Sequence, residues 1–239
     1  MRIGHVAAIW RYPVKSMKTE PLESVEVSWH GLTGDRRWAF IRDDVPRSGF
    51  PWLTIRERAQ LVHYRPWFAE PDRPDRSPTM VRTPHGADLE VVDPALAAEL
   101  GTGLRVLKQD RGIFDTMPLS LITTRAVDSV GALVGGKLDV LRFRPNLVIE
   151  PQDDPAVGGG VAFPEDAWVG AILRIGDLRF RVDQRDKRCV MVNVDPVTTE
   201  RDPAILRAIA RHNDVRLGIY GSTVQPGRVG VGDPVFLEG

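Results

Sequence analysis

Apolar and polar residues alternate with a period of two along much of the chain, and that period predicts strands. The first such run covers residues 3–10, a second covers 25–29, and a third covers 37–42 with Trp38 and Phe40 on one face. Gly31 and Gly34 punctuate the link between the second and third runs, as a tight turn requires. Together these runs predict a curled antiparallel sheet. Residues 64–84 hold five prolines among many charges and read as a long exposed loop. Three stretches change to the helical period. Asp93-Pro94 caps and starts a short helix that Gly101 ends. Residues 124–134 place Ala126, Val127, Val130, Leu133 and Val134 at helical spacing after a threonine cap. Asp202-Pro203 repeats the cap-plus-proline signature before Ile205, Leu206 and Ile209, and this helix is expected to end near Asn213. Residues 141–149, 171–175, 178–182 and 189–194 read as strands, and 229–237 as a strand pair or one bulged strand. With no internal repeat and no low-complexity tract, the best physical reading is mainly β: a β-barrel-like architecture with a few helices.

Composition narrows the functions such a fold could serve. A chain of 239 residues with 42% hydrophobic content can bury a proper core, as one large domain or two small ones. Its 32 Lys and Arg cancel its 32 Asp and Glu, so the chain as a whole carries no field that draws it to nucleic acid or an anionic membrane. Any basic site must be local. A single cysteine excludes an internal disulfide and a four-cysteine cluster built by this chain alone. No apolar signal core opens the chain, and no stretch approaches the ~18 apolar residues of a membrane span, so a cytoplasmic setting is expected.

Several familiar motifs fail. Residues 131–138 nearly spell a phosphate-binding loop, yet Leu138 stands where Ser or Thr must reach magnesium, and a helical run precedes it instead of a strand. The five histidines never fall at the i, i+4 spacing of a helical zinc site. Gly158, Gly159 and Gly160 follow an acidic stretch and read as a loop, with a lid as the alternative. Cys189 follows Arg185, Lys187 and Arg188 and precedes the apolar run Val190 to Val194. Such flanking cations suit a thiolate ligand or nucleophile. By itself the local sequence favours a small buried hydrophobe.

Other segments tip that balance. Tyr12-Pro13-Val14-Lys15-Ser16 and Gly34-Asp35-Arg36-Arg37-Trp38 come first, followed by Arg142-Phe143-Arg144-Pro145-Asn146. Arg188-Cys189-x5-Asp195-Pro196 comes next, and Gly221 with Pro226-Gly227-Arg228-Val229-Gly230-Val231-Gly232-Asp233-Pro234-Val235 closes the series. In this order they resemble the MOSC family, most closely the branch of the mitochondrial amidoxime-reducing component and its bacterial relatives. The resemblance spans nearly the whole chain. It implies an N-terminal MOSC-associated β domain over residues 1–105 and a MOSC β-barrel over 106–239.

The resemblance also implies a molybdenum cofactor, molybdopterin, with Cys189 as the protein ligand to the metal and the pterin dithiolene supplying the other sulfurs. Lys15, Ser16 and Arg36 would grip the pterin phosphate. Arg144 and Asn146 would contact the pterin, and Asp115 and Thr116 would form another cofactor-facing loop. Arg188 precedes the ligand as in the family, whereas Lys187 departs from the family's small residue. The implied activity is an oxidoreductase acting on N-hydroxylated small molecules, such as amidoximes or hydroxylaminopurines. Neither the mitochondrial membrane anchor nor the ferredoxin domain of some bacterial relatives is matched, so electrons are expected from a separate ferredoxin or flavoprotein reductase. A non-catalytic carrier of the cofactor or its sulfur is the alternative, with a cofactor-free scaffold the third. No nucleic-acid or membrane partner is expected, nor pyridoxal phosphate.

Overall fold

Alternating runs from the two ends of the chain close into a barrel in the computed structural model, which describes residues 1–45, 48–154 and 159–238. In chain order the strands are β1 (Arg2–Arg11), β2 (Glu20–Leu22), β3 (Ser24–Ser28), β4 (Gly31–Leu32), β5 (Trp38–Arg42), β6 (Arg65–Phe68), β7 (Thr79–Arg82), β8 (Asp88–Glu90), β9 (Leu104–Lys108), β10 (Leu119–Thr123), β11 (Leu147–Pro151), β12 (Ile172–Ile175), β13 (Leu178–Lys187), β14 (Arg216–Gln225), β15 (Gly227–Gly230) and β16 (Pro234–Glu238). Among the described residues the α-helices are α1 (Pro94–Leu100), α2 (Thr124–Val134) and α3 (Pro203–Asn213). Strand therefore outweighs helix. None of these helices is long and apolar enough to cross a membrane.

The chain divides into two compact units. One comprises Met1–Trp10, Pro21–Leu32 and Thr116–Gly239, and the other Arg11–Glu20 with Thr33–Asp115. In the first, seven strands run in the order β11-β10-β14-β13-β12-β16-β1, and pairing of β1 with β11 closes the ring. Neighbours are antiparallel except β10 and β11, which are parallel and joined through α2. Closure removes the unpaired edges that an open sheet would expose. The interior is filled by Ile3, Val6, Leu121, Ile149, Phe180 and Ile219, all at most 1% exposed. Alternate residues of the same strands face outward. Ile122, Val148 and Leu217 meet Val130 of α2 and Ile205 and Ile209 of α3 in a second apolar layer. The three-stranded sheet β15-β3-β4 completes this unit. The second unit holds the β5–β9 pair, the three-stranded sheet β6-β7-β8 and α1.

Each helix starts where its cap was read. Asp93, Thr123 and Asp202 accept from the backbone N–H two or three residues on, at 2.8, 3.1 and 2.8 Å. Gly31 and Gly34 adopt φ of +87° and +82°, the left-handed backbone expected of the turn. The 229–237 run is a strand pair, although β15 pairs with β3 and β16 with β12 and β1.

Three expectations need correction. Residues 64–84 are not one exposed loop, because β6 and β7 pair there and Tyr64, Phe68 and Val81 are buried. Pro66 is tolerated because β6 is the edge of its sheet. Residues 141–143 are not strand. They lie in a 3-10 turn, Val140–Phe143, capped by Asp139 on the Leu141 N–H at 2.8 Å, and β11 begins only at Leu147. Residues 189–194 are likewise a 3-10 turn over Val190–Asn193, closed by Val192 N–H on the Cys189 carbonyl and Val194 N–H on that of Met191. The barrel strand before it is longer than expected, since β13 runs on to Lys187. Of the glycine run read as a loop, Gly158 lies outside the described residues, while Gly159 and Gly160 form a turn.

Candidate functional site

The candidate residues fall into two groups, one in each unit. In the second unit, residues 12–16, 35–38 and 109–115 are laced by backbone bonds: Arg36 N–H to Tyr12 C=O, Lys15 N–H to Trp38 C=O, and Ile113 N–H to Arg36 C=O. This lacing brings Lys15, Arg36 and Asp115 together. The Lys15 ammonium is buried, donating to the Ile113 carbonyl at 3.0 Å and to Asp115 Oδ1. Arg56 donates to Asp115 Oδ2 at 2.9 Å. Arg36 pairs with Asp35 and lies 4.5 Å from the centre of the Tyr12 ring. Burial would raise the Asp115 pKa, but Lys15, Arg56 and Arg36 outweigh it and hold the carboxyl below its usual range. Ser16 is buried beside Lys15 in sequence, and Thr116 is exposed at the start of the barrel segment.

In the barrel unit, β13 delivers Arg188 and Cys189 to the barrel's end. Arg188 is buried and donates through Nε to the Leu217 carbonyl at 2.6 Å and through Nη1 to the Phe143 carbonyl at 2.8 Å. Asp186 Oδ2 stands 2.8 Å from the same Nη1. The Arg188 N–H donates to the Val215 carbonyl at 2.8 Å. Arg142 adds a second tie, giving a hydrogen bond to the Asn193 carbonyl at 3.2 Å and an ion pair to Asp195. The turn that carries Arg144 and the turn that follows Cys189 are thus fastened to each other. Cys189 itself is partly exposed, lies outside any disulfide and sits on extended backbone, φ −126°, with Val190 beside it 48% exposed.

Asn146 is bonded within the barrel unit. Its Oδ1 accepts from Ser120 N and Oγ at 3.3 and 3.1 Å, and its Nδ2 donates to the Trp10 carbonyl at 3.2 Å. The amide therefore braces β1, β10 and the entry to β11.

Backbone geometry marks the same places. Ser16, Arg36 and Arg144 have φ of +67°, +48° and +50°, a region that costs a residue with a side chain free energy. Val215, whose carbonyl receives Arg188, adopts +60° although it is β-branched. Arg56, Arg142 and Val215 were not found from the sequence. Arg142 stood in the quoted motif, but its partner is 53 positions away, and Arg56 meets Asp115 across 59.

A closed seven-stranded barrel with a cysteine where a strand leaves it, together with a second unit carrying a cation cluster, defines the class. Residues 87–236 match the MOSC domain and residues 3–110 the MOSC N-terminal beta barrel domain, so the chain belongs to the MOSC family. Among curated relatives, it is 24% identical to mitochondrial amidoxime-reducing component 1 of Homo sapiens, over 100% of this chain and 84% of that protein. It is 25% identical to a molybdenum cofactor sulfurase of Caenorhabditis elegans, over 90% of this chain and 33% of that protein. Among solved structures, the YUAD protein from Bacillus subtilis shares the fold with a TM-score of 0.53 at 11% identity, covering 98% of this chain and 94% of that one.

Proposed function

We propose that the protein holds a molybdenum cofactor through Cys189 and reduces N-hydroxylated small molecules with electrons from a separate carrier. The observation that carries this reading is the presentation of Cys189: a partly exposed cysteine on backbone that the buried Arg188 pins to Phe143 and Leu217. The donor set fits the group. A thiolate is a soft ligand suited to a redox metal. Lys15 and Arg36, with the Ser16 hydroxyl, offer charge-assisted hydrogen bonds to a phosphate. Arg144 offers a planar fork of donors to a flat heteroaromatic ring, and Asp115 and Thr116 belong to a separate segment that the proposal turns toward the cofactor. Asn146 and Arg188 stay in the proposed cofactor set and also hold backbone, since their polar atoms bind Ser120, Trp10, Phe143, Leu217 and Asp186. When bound, the cofactor supplies the two-electron chemistry, and the protein binds it, orients it and shields it from water. A reducing cytoplasm suits a lone cysteine that forms no disulfide.

Molybdenum analysis and visible spectra of wild type and Cys189→Ser, both made in a host that synthesises the cofactor, test the reading. The variant should lose the thiolate-to-metal absorption and all turnover of an amidoxime, while its unfolding curve stays within about 0.5 kcal/mol of wild type. An unchanged spectrum and activity would overturn it. The likeness to a molybdenum cofactor sulfurase supports a second reading, a carrier of the cofactor or its sulfur. A fully loaded protein that turns over no N-hydroxylated compound with any reductant favours the carrier.

A further inference from the structure

We infer that the cavity between α2 and residues 137–140 of the barrel unit is a binding site for an organic cation with an apolar body, independent of the cofactor reading.

Its shape comes from the glycines that nearly spell a phosphate-binding loop and that serve a turn instead. Gly135 caps α2 with a φ of +81° and reverses the chain. The Gly136 N–H donates to the Gly131 carbonyl at 3.0 Å, and a Cβ on Gly131 would lie 2.6 Å from the Gly136 carbonyl oxygen. A side chain at 131 would forbid that approach. Asp139 fixes the far end of this wall by accepting the Leu141 N–H at 2.8 Å. Between the wall and α2 lies a cavity of about 640 Å³. Small-molecule sites span roughly 300–1,000 Å³ and are largely pre-formed. Its floor is apolar, made by the buried Val127 of α2 and Val148 of β11 with the half-buried Leu138.

Charge on the rim decides what kind of molecule suits that floor. Asp128, Asp139 and Glu150 line the cavity together with Lys137, so three carboxylates against one ammonium leave two negative charges. Among the described residues none of the four makes an ion pair. Such a rim repels phosphate and draws a cation. The Thr124 hydroxyl aims Glu150 by donating to its Oε2 at 2.7 Å. Asp128 stands four residues on from Thr124, on the same face of α2. Glu150 and Asp128 therefore flank one place for an ammonium, and a body attached to it covers Val127 and Val148. An inorganic cation would leave the floor unused, and a neutral apolar molecule would leave the carboxylates unused.

The test uses three probes that share one body, benzylammonium, benzyl alcohol and benzoate, titrated into the full-length chain at pH 7 and followed by backbone amide chemical shifts. Benzylammonium should bind with a Kd on the order of millimolar, as its size allows. It should shift the amides of residues 124–128, 137–140 and 148–150, and bind about tenfold more tightly than either other probe. Glu150→Gln and Asp128→Asn should each weaken it about threefold, the worth of an exposed ion pair, and the double variant about tenfold. Lys137→Gln should tighten it. Thermal melts confirm that each variant is folded, and if the double variant is not, the single variants and the three probes decide. Benzyl alcohol binding as tightly as benzylammonium overturns the cation class, and an unchanged affinity in the carboxylate variants overturns their role. Shifts confined to other residues, or none at tens of millimolar benzylammonium, overturn the site.

Discussion

Glu165 has no exposed surface, and its carboxyl meets the Thr123 hydroxyl at 2.6 Å in the barrel unit. Burial pushes its pKa up from 4.5 to about 7; the Thr123 hydrogen bonds oppose this and the neighbouring Asp166 adds to it. A folded pKa above the unfolded one means that the folded state binds the proton more tightly. The resulting stability is fully present below about pH 4.5 and is lost as pH rises through about 7. Its size is roughly 3 kcal/mol at one unit per 1.4 kcal/mol. Urea midpoints of wild type should therefore fall between pH 5 and pH 8 by more than those of Glu165→Gln, whose amide keeps the contact without a charge. Parallel curves for the two proteins would refute this. Arg188 makes the other residue-scale prediction. Arg188→Ala leaves Asp186 buried without its cation and should cost about 3–5 kcal/mol in chemical denaturation, with Arg188→Lys falling between it and wild type. Residues of this kind differ in how far sequence reveals them. Lys15, Arg36, Arg144 and Cys189 stand in short segments of recognisable chemistry, whereas Arg56 acquires its place only when folding brings Asp115 to it. Nor does composition show that a valine, Val215, is held in left-handed backbone to present its carbonyl.

Helices were the most legible elements, because their signals are local. Asp93-Pro94 and Asp202-Pro203 supply a cap and a fixed φ within two residues, and the observed helices begin at those prolines. Strands are less legible, since alternation needs a partner to become a strand. The Val190 to Val194 run is largely apolar and buries Val192 and Val194, yet β13 ends at Lys187 and the chain curls into a 3-10 turn. The opposite error arose at residues 64–84, where prolines masked a hairpin whose edge strand tolerates one. Element packing then carries a consequence for Cys189. Asn193, in the turn after it, accepts the Leu206 N–H of α3 on Oδ1 at 3.1 Å and the Asp202 N–H on its carbonyl at 2.9 Å. Asn193→Ala should cost about 1–3 kcal/mol, the penalty for stranding a buried donor. Because the turn loses one of its two ties to α3, the thiol of the cofactor-free protein should also react faster with a thiol reagent. Loss of stability with unchanged thiol kinetics would show that Cys189 is held by Arg188 alone.

At the scale of the whole molecule, closure of the barrel follows from strand-forming runs at both ends of the sequence, of which β1 and β16 are the pair that a reading along the chain cannot join. Electron supply also belongs at this scale, because cleaving an N–O bond, the activity proposed for this chain, would consume two electrons that must come from somewhere. With one cysteine, it cannot build a four-cysteine iron-sulfur cluster, and the proposed function places that cysteine on the metal. No strand is followed by the Gly-x-Gly-x-x-Gly turn that would seat a flavin or nicotinamide dinucleotide. If the proposed function holds, the loaded protein should therefore reduce an amidoxime or a hydroxylaminopurine with a strong artificial reductant, and should not do so with NADH alone. Adding a ferredoxin or flavoprotein reductase should restore NADH-dependent turnover in proportion to the partner until the two proteins are equimolar. Substrate-dependent NADH oxidation, followed at 340 nm with and without the partner, is the measurement. Robust NADH-driven turnover by the chain alone would mean that it holds a nucleotide site that neither its sequence motifs nor its cation cluster accounts for.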